Sequence, residues 1–399
     1  MNILVYNAYH DHPAVQHNLN SLINALSNLG HRVYTCDFDD VNSISSCVNL
    51  LLQSNVIDFS LAYNFMPIDK LTVNTATQED VRLYEQIDIP HVSIMLDQPF
   101  NPCSGYLKTA FPKQIITYLD RSDELYIDRC CSVQSEQHKI FMPLAGTIND
   151  NFPNITTTQR KYDILFSSSS WNPIRIWHDN KYDYPKYIRR YMDEIAELMM
   201  YYPCNVKDAC ITVLHSHGFF DDEYYQKMSP YFWPILRFVK PMRKIETLKH
   251  LTNLGLKVDV IGNGFENQSF ANKLICHGRK EYEEMLDYVS QSKVVITDMA
   301  GFNEGAHDRV FTGMLNGAVV VSEYSSYLDE VFVNRQDLFM FDWQNTEQQM
   351  EVIEKLISDE DYRLSIAQNA YNKAIREHTW ESRANQILEA VCIIYGLSD

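Results

Sequence analysis

Asp298, Asn303, Glu304, His307, Asp308 and Arg309 crowd into one stretch of the chain, VVITDMAGFNEGAHDRVFTGMLNGAVVVSE at residues 294–323. They combine hydrogen-bond acceptors, a titratable imidazole and a guanidinium, groups suited to holding a polar ligand and moving charge on it. The flanking residues say what must position them. Residues 294–297 form a compact apolar run suited to a buried strand, and Val310, Phe311, Met314 and Leu315 share one face of a helix that Gly317 can end in a left-handed conformation. Residues 318–321 then start another strand. The polar set therefore falls beyond the carboxyl end of a strand, where open parallel sheets bind their ligands.

The rest of the chain repeats this rhythm. Apolar runs at 2–7, 32–36, 60–63, 91–96 and 114–117 alternate with helical segments, among them one whose stripe is Leu19, Leu22, Ile23 and Leu26 before Gly30. Residues 1–150 are thus expected to form a doubly wound α/β domain. The polar stretch PLAGTINDNFPNITTTQR at 143–160 suits a linker. Runs at 162–166, 258–261, 274–276, 294–297, 318–321 and 338–341 then predict a second Rossmann-like domain over 160–378, with a helical insertion at about 184–252. Helical patterns follow at 346–357, 361–376 and 381–395, and 379–399 is expected to pack back on the first domain. Two doubly wound domains facing a cleft would suit a two-part ligand.

A length of 399 residues agrees with two cores. The formal charge of −18 argues against a sequence-independent grip on nucleic acid or an anionic membrane. The start MNILVYNAYH is too short in apolar residues for a signal peptide, and no run approaches a transmembrane segment. The nine cysteines are scattered, which points to reduced thiols and a cytoplasmic location.

The run HDRVFTGMLNGAVVVSE resembles the R-V-F-E-A-M-A-x-G-x-x-V-V segment of two-domain GT-B glycosyltransferases, especially the spore-maturation-type (CgeB-like) branch of the group 1 family. IPHVSIMLDQPF at 89–100, MPLAG at 142–146, YDILFSSS at 162–169, DVIGNGF at 259–265 and CHGRKEYEEMLDYVSQSKVVIT at 276–297 fall in the order that branch would have. The resemblance implies a hexosyltransferase-type enzyme with a nucleotide-sugar donor held mostly by the second domain. A glycan, protein or small-molecule acceptor would approach from the first, by a retaining course, with no obligatory metal and no cofactor. A sugar-nucleotide 2-epimerase-type isomerase and a non-catalytic nucleotide-sugar-binding protein are the alternatives on the same architecture. Oligomeric state is not legible.

Departure of a nucleoside diphosphate builds negative charge, so cations and preorganised amides are wanted around it. Arg309, His307 and the amides opening the helix at 307–316 are the candidates by resemblance, with Asp308 and Asn303 beside them. Glu304 would accept hydrogen bonds from the donor sugar or, more plainly, complement the helix dipole. His307 would meet phosphate, transfer a proton or only cap the helix. Thr312 stands where the family has a carboxylate on the nucleotide ribose, and Glu323 is the substitute on offer. Gly262, Asn263 and Gly264 would form a close backbone approach or an ordinary turn. Gly278 and Tyr282 would read the base, although Tyr282 suits a core position equally well. Ser168, Ser169, Ser170 and Arg175 would contact the diphosphate or form a polar turn.

In the first domain, His10, Asp11 and His12 follow the first strand and Asp97 follows a later one. His10, Asp11 or Asp97 would deprotonate an acceptor in an inverting enzyme and only orient it in a retaining one. Asp37-Phe38-Asp39-Asp40 has a D-x-D spacing, but its place after a strand favours a loop or a helix start, and no metal ligands are expected.

Overall fold

The computed structural model describes the chain except for residues 54–55, 65–70, 75–79, 103–106, 108–111, 132–136, 152–158, 171, 174–176, 179–182, 342–345 and 398–399. The chain divides into two compact units, Met1–Leu144 with Thr379–Asp399, and Ala145–His378.

The first unit is built on six parallel strands: β1 (Asn2–Asn7), β2 (Arg32–Asp37), β3 (Phe59–Tyr63), β6 (His91–Ile94), β7 (Gln114–Tyr118) and β8 (Gln137–Phe141). Their order is β2-β1-β3-β6-β7-β8, and β4 (Thr72–Asn74) with β5 (Asp80–Arg82) forms a separate antiparallel pair. Every residue of β3, β6 and β7 is buried, as expected of parallel strands covered on both faces. Helix α1 (Pro13–Asn28) starts on a proline, whose fixed φ suits a first turn, and buries Leu19, Leu22 and Leu26. Helix α2 (Val41–Leu51) is capped by Asp40, whose side chain accepts from Asn42 N–H, so the acidic run after β2 supplies a helix start. Helix α3 (Ser122–Cys130) lies between β7 and β8 in the chain.

The second unit carries β9 (Tyr162–Ser167), β10 (Val258–Ile261), β11 (Leu274–Cys276), β12 (Ser292–Thr297), β13 (Val319–Glu323) and β14 (Phe339–Phe341), all parallel in the order β11-β10-β9-β12-β13-β14. Counted within the unit this is the 3-2-1-4-5-6 order of the doubly wound dinucleotide folds, with its switch point between β9 and β12. Among the described residues, four α-helices stand between β9 and β10: α4 (Lys186–Tyr201), α5 (Val206–Ser216), α6 (Asp222–Met228) and α7 (Phe232–Asn253). After them come α8 (Tyr282–Ser290), α9 (Asp308–Leu315), α10 (Ser326–Val331), α11 (Thr346–Ser358) and α12 (Glu360–Glu377). Ile164, Phe166, Val258, Val260, Val294, Ile296, Val319 and Val321 form a continuous core with Leu248 and Leu251 of α7 and Ile366 of α12.

The last helix, α13 (Trp380–Tyr395), belongs to the first unit and packs on α1. Gln386 Nε2 donates to Phe141 O at 3.0 Å and Arg383 Nε to Pro143 O at 2.5 Å. Among the described residues no helix is long and apolar enough to cross a membrane.

Candidate functional site

The switch point of the second unit is spanned by one side chain. Arg309, in the first turn of α9, donates from Nη1 to Ser167 O at the end of β9 (2.8 Å) and from Nη2 to Asp298 Oδ1 just past β12 (3.1 Å). The planar fork of arginine fits such a double contact, which an ammonium would not reproduce. Asp298 is buried at 4% exposure. Burial by itself would raise its pKa, but Lys244, Arg309, His307 and Lys240 outweigh that and hold the carboxyl well below the usual range.

Lys244 comes from α7, where Lys240, Arg243 and Lys244 share one helix face by their spacing. Its Nζ donates to Ser169 O at 3.2 Å, and burial pushes its pKa down, with Asp298 and Glu323 pulling the other way. Arg243 is buried beside Glu323, Nε to Oε1 3.4 Å, and the other Glu323 oxygen accepts from Met299 N–H at 2.9 Å. Glu323 is 2% exposed. It therefore anchors the loop after β12 from within.

That loop is fixed at several points. Asn303 O accepts from Ser326 N–H at 2.9 Å, and Gly305 O from Ser325 Oγ, the cap of α10, at 2.6 Å. Asn303 Oδ1 is buried with no hydrogen-bond partner among the described residues, a costly state for an acceptor. Glu304 lies in the turn and is partly exposed. His307 caps α9, its Nδ1 accepting from Arg309 N–H at 3.3 Å, and Asp308 Oδ1 also lies against Nδ1. One nitrogen cannot accept from Arg309 and donate to Asp308 in the same tautomer, so this ring sits between two proton arrangements. Burial and Arg309 lower the His307 pKa, against the carboxylates of Asp308 and Asp298.

Around this centre the glycine turn 262–264 crosses the residues that prolong β9. Ser168 N–H donates to Ile261 O, Ser170 N–H to Asn263 O, and Asn263 N–H to Ser169 Oγ. A Cβ on Gly264 would stand 1.6 Å from Ser170 O, and its φ of +99° already excludes most side chains. The turn is a close backbone crossing that requires glycine. Gly278, at φ +71°, accepts through its carbonyl from Gly262 N–H at 2.9 Å.

Thr312 and Tyr282 meet through a residue the sequence reading did not single out. Thr147 N–H donates to Thr312 Oγ1 (3.1 Å), Thr147 Oγ1 accepts from Tyr282 OH (2.9 Å), and Thr147 O accepts from Asn316 Nδ2 (2.8 Å). The hydroxyl at 312 is thus engaged with the 145–150 segment. Gly146 lies so near α9 that a Cβ there would be 2.5 Å from the Phe311 carbonyl carbon.

Ser168, Ser169, Asn263, Gly264, Gly278, Asp308, Arg309 and Glu323 all fall on this carboxyl edge. Arg175 lies outside the described residues. Lys240, Arg243 and Lys244 were missed, although three cations at i, i+3 and i+4 just before the return of the strand rhythm were a usable signal.

In the first unit, His10 and Asp97 stand at separate places. His10 Nε2 lies 2.9 Å from Asp37 Oδ1 and 3.9 Å from Asp39 Oδ2, near the ends of β1 and β2, whereas Asp97 follows β6. His10, Asp37 and Asp39 offer ligand atoms within 4.8 Å of one another, on exposed or partly exposed side chains. Tyr9 OH reaches Tyr63 O at 3.5 Å across the β1/β3 switch point.

Sucrose-phosphate synthase from Thermosynechococcus elongatus aligns over 100% of both chains with a TM-score of 0.55 at 10% identity. An α-glucosyltransferase, solved with UDP-glucose and DNA containing an abasic site, aligns over 98% of this chain and 99% of its own, TM-score 0.56, 12% identity. AviGT4, a glycosyltransferase involved in avilamycin A biosynthesis, aligns over 100% and 99%, TM-score 0.52, 10% identity. The fold is GT-B. Within this GT-B chain, residues 242–389 match the model of the glycosyl transferase-like family. The matched segment holds Arg243, Lys244 and the whole 298–323 loop and helix. No curated protein matches the GT-B chain by sequence.

Proposed function

We propose that the protein is a glycosyltransferase that binds a nucleotide-sugar donor on the second unit and transfers the sugar to an acceptor hydroxyl. The observation that carries this reading is Arg309 clamped across the β9/β12 switch point with Lys244 beside it, both within the glycosyl transferase-like segment. Cations held in a buried setting before the substrate arrives stabilise a departing diphosphate without reorganisation in the reaction. The start of α9 adds the positive end of a helix dipole. UDP-glucose in a structural neighbour supports a nucleotide sugar as the donor.

In this reading Arg309 and Lys244 meet the diphosphate, with Ser168, Ser169, Asn263 and Gly264 lining its approach. Glu304 and Asn303 accept hydrogen bonds from the sugar, while Gly278, Tyr282 and Thr312 border the nucleoside. His307 orients Arg309 and α9. Glu323 holds the loop from below, and the ribose is gripped without the carboxylate usual at position 312. The reaction is metal-independent and retaining, with a hexose as the transferred group and a CgeB-like lineage. His10 and Asp97 orient the acceptor.

The test is a thermal-shift panel of nucleotide sugars followed by product analysis, since a specific ligand stabilises the fold by mass action. One donor should stabilise the protein, and Arg309→Ala should weaken its binding. A donor epimerised without acceptor would overturn the transferase reading, as would donor binding with neither transfer nor hydrolysis across an acceptor screen.

A further inference from the structure

A cavity of about 940 Å³ lies between α4 and α7 in the helical insertion of the second unit. None of the residues assigned to the donor lines it. Its walls are aromatic: Trp177 stacks on Phe238 with centroids 4.7 Å apart, and Tyr201 and Tyr202 stand at the end of α4, 65% and 52% exposed. Set among these rings are three carboxylates. Asp193 and Glu197 lie one turn apart on α4, and Glu246 faces them from α7.

Among the described residues the charge here is lopsided. Arg243 and His250 also line the cavity, but the Arg243 guanidinium is matched by Glu323, Nε to Oε1 3.4 Å. Glu246 meets Lys249 at 3.2 Å in a pair whose side chains are 30% and 49% exposed, a weakly held pair in which Lys249 can yield its place to a ligand cation. Like charges gathered around a concave, low-dielectric surface raise the local potential and draw a counter-ion. The same feature repels an anionic nucleotide. Aromatic faces add a second, independent preference, because their quadrupole attracts a positive group placed over the ring. Met200 and Met242 complete an adaptable apolar lining for the body that carries the charge.

We propose that this cavity is a binding site for an organic ammonium ion, a positively charged nitrogen on a compact hydrocarbon or sugar body. The volume fits a small molecule of that kind. The ammonium sits between Glu197 and Glu246 and the body lies against the Trp177–Phe238 stack. Nothing in this assignment depends on the donor reading.

Titration calorimetry on the full chain tests it with two probes, spermidine as an aliphatic polyamine and glucosamine as an amino sugar. N-acetylglucosamine is the uncharged counterpart, and ionic strength is matched with sodium chloride. At least one charged probe should bind saturably with one-to-one stoichiometry and be preferred over the uncharged counterpart by about tenfold or more. Which probe binds tells polyamine from amino sugar. The double variant Glu197→Gln/Glu246→Gln should weaken that binding about tenfold with no loss in unfolding temperature, since both side chains are at least partly exposed. The single variant Glu197→Gln should show a smaller loss in the same direction and serves if the double variant folds poorly. Equal binding of charged and uncharged probes, no saturable binding of either charged probe into the millimolar range, or unchanged affinity in the glutamine variants would overturn the proposal.

Discussion

The two sheets carry polar groups near their switch points in opposite ways. The first unit buries a neutral chain through its sheet, in which Tyr6 OH meets Tyr84 OH, Tyr84 meets Ser60 Oγ, and Ser60 meets His91 Nδ1. Burial pushes the His91 pKa down to about 3, so the imidazole stays uncharged there. Its β1/β3 switch point is crossed by the Tyr9 hydroxyl, and its charged trio of His10, Asp37 and Asp39 lies on partly or fully exposed side chains. At its switch point the second unit instead holds ions: buried Asp298 with the partly buried Arg309 and Lys244, and Glu323 with Arg243, both buried. Neutral buried chains specify a core. Buried charges cost desolvation and are worth little as stabilisers against well-packed apolar residues, so keeping several at a switch point fits a site preorganised for a charged ligand.

Variants sharpen this contrast. Arg309→Met should cost the most, about 3 kcal/mol or more by denaturant unfolding, because it leaves the Asp298 carboxylate buried without its ion-pair partner. A loss under about 0.5 kcal/mol would mean that the second unit stores no more charge energy than the first. Gly264→Ala should follow at about 2–3 kcal/mol, from positive φ and the collision with Ser170 O. Thr312→Val removes the acceptor of Thr147 N–H and should cost about 1–2 kcal/mol.

The pH response is subtler. His307 has a lowered pKa in the folded state, so the stability it contributes is fully present above its unfolded value of about 6.5 and is lost as pH falls through the lowered one. His307→Asn keeps a side chain able to cap α9 and should flatten the fall in stability below about pH 6.5; an unchanged slope would remove His307 from the buried network. Smallest of all, His10→Ala in the first unit should shift stability by no more than about 0.5 kcal/mol.

Strand positions were legible in the sequence where a parallel strand is buried on both faces, as at 258–261, which matches β10 residue for residue, and the apolar run at 274–276 also matches β11, a partly exposed edge strand. β8 was missed because only Gln137 of its five residues is buried, and no apolar run marks it. The antiparallel β4/β5 pair is three residues a side and below the resolution of any periodicity. The 294–323 stretch announced a site through its polar density, yet neither the Arg309 clamp nor the Thr147 contacts could be read from local pattern, since Arg309 and Ser167 lie 142 residues apart and Thr147 and Thr312 lie 165 apart. The cations of α7 were hidden for a related reason. They sit on a helix whose mixed composition resembled an ordinary insertion, and only the fold brings them to the sheet edge.

The central claim is that the second unit binds a nucleotide sugar through partly buried cations at its switch point. Calorimetric titration of the donor found in the thermal-shift panel into the native protein and into Lys244→Met tests it most directly. The account predicts saturable binding that weakens about tenfold or more in the variant at a temperature where both proteins are folded. Equal affinity in the two proteins would contradict it.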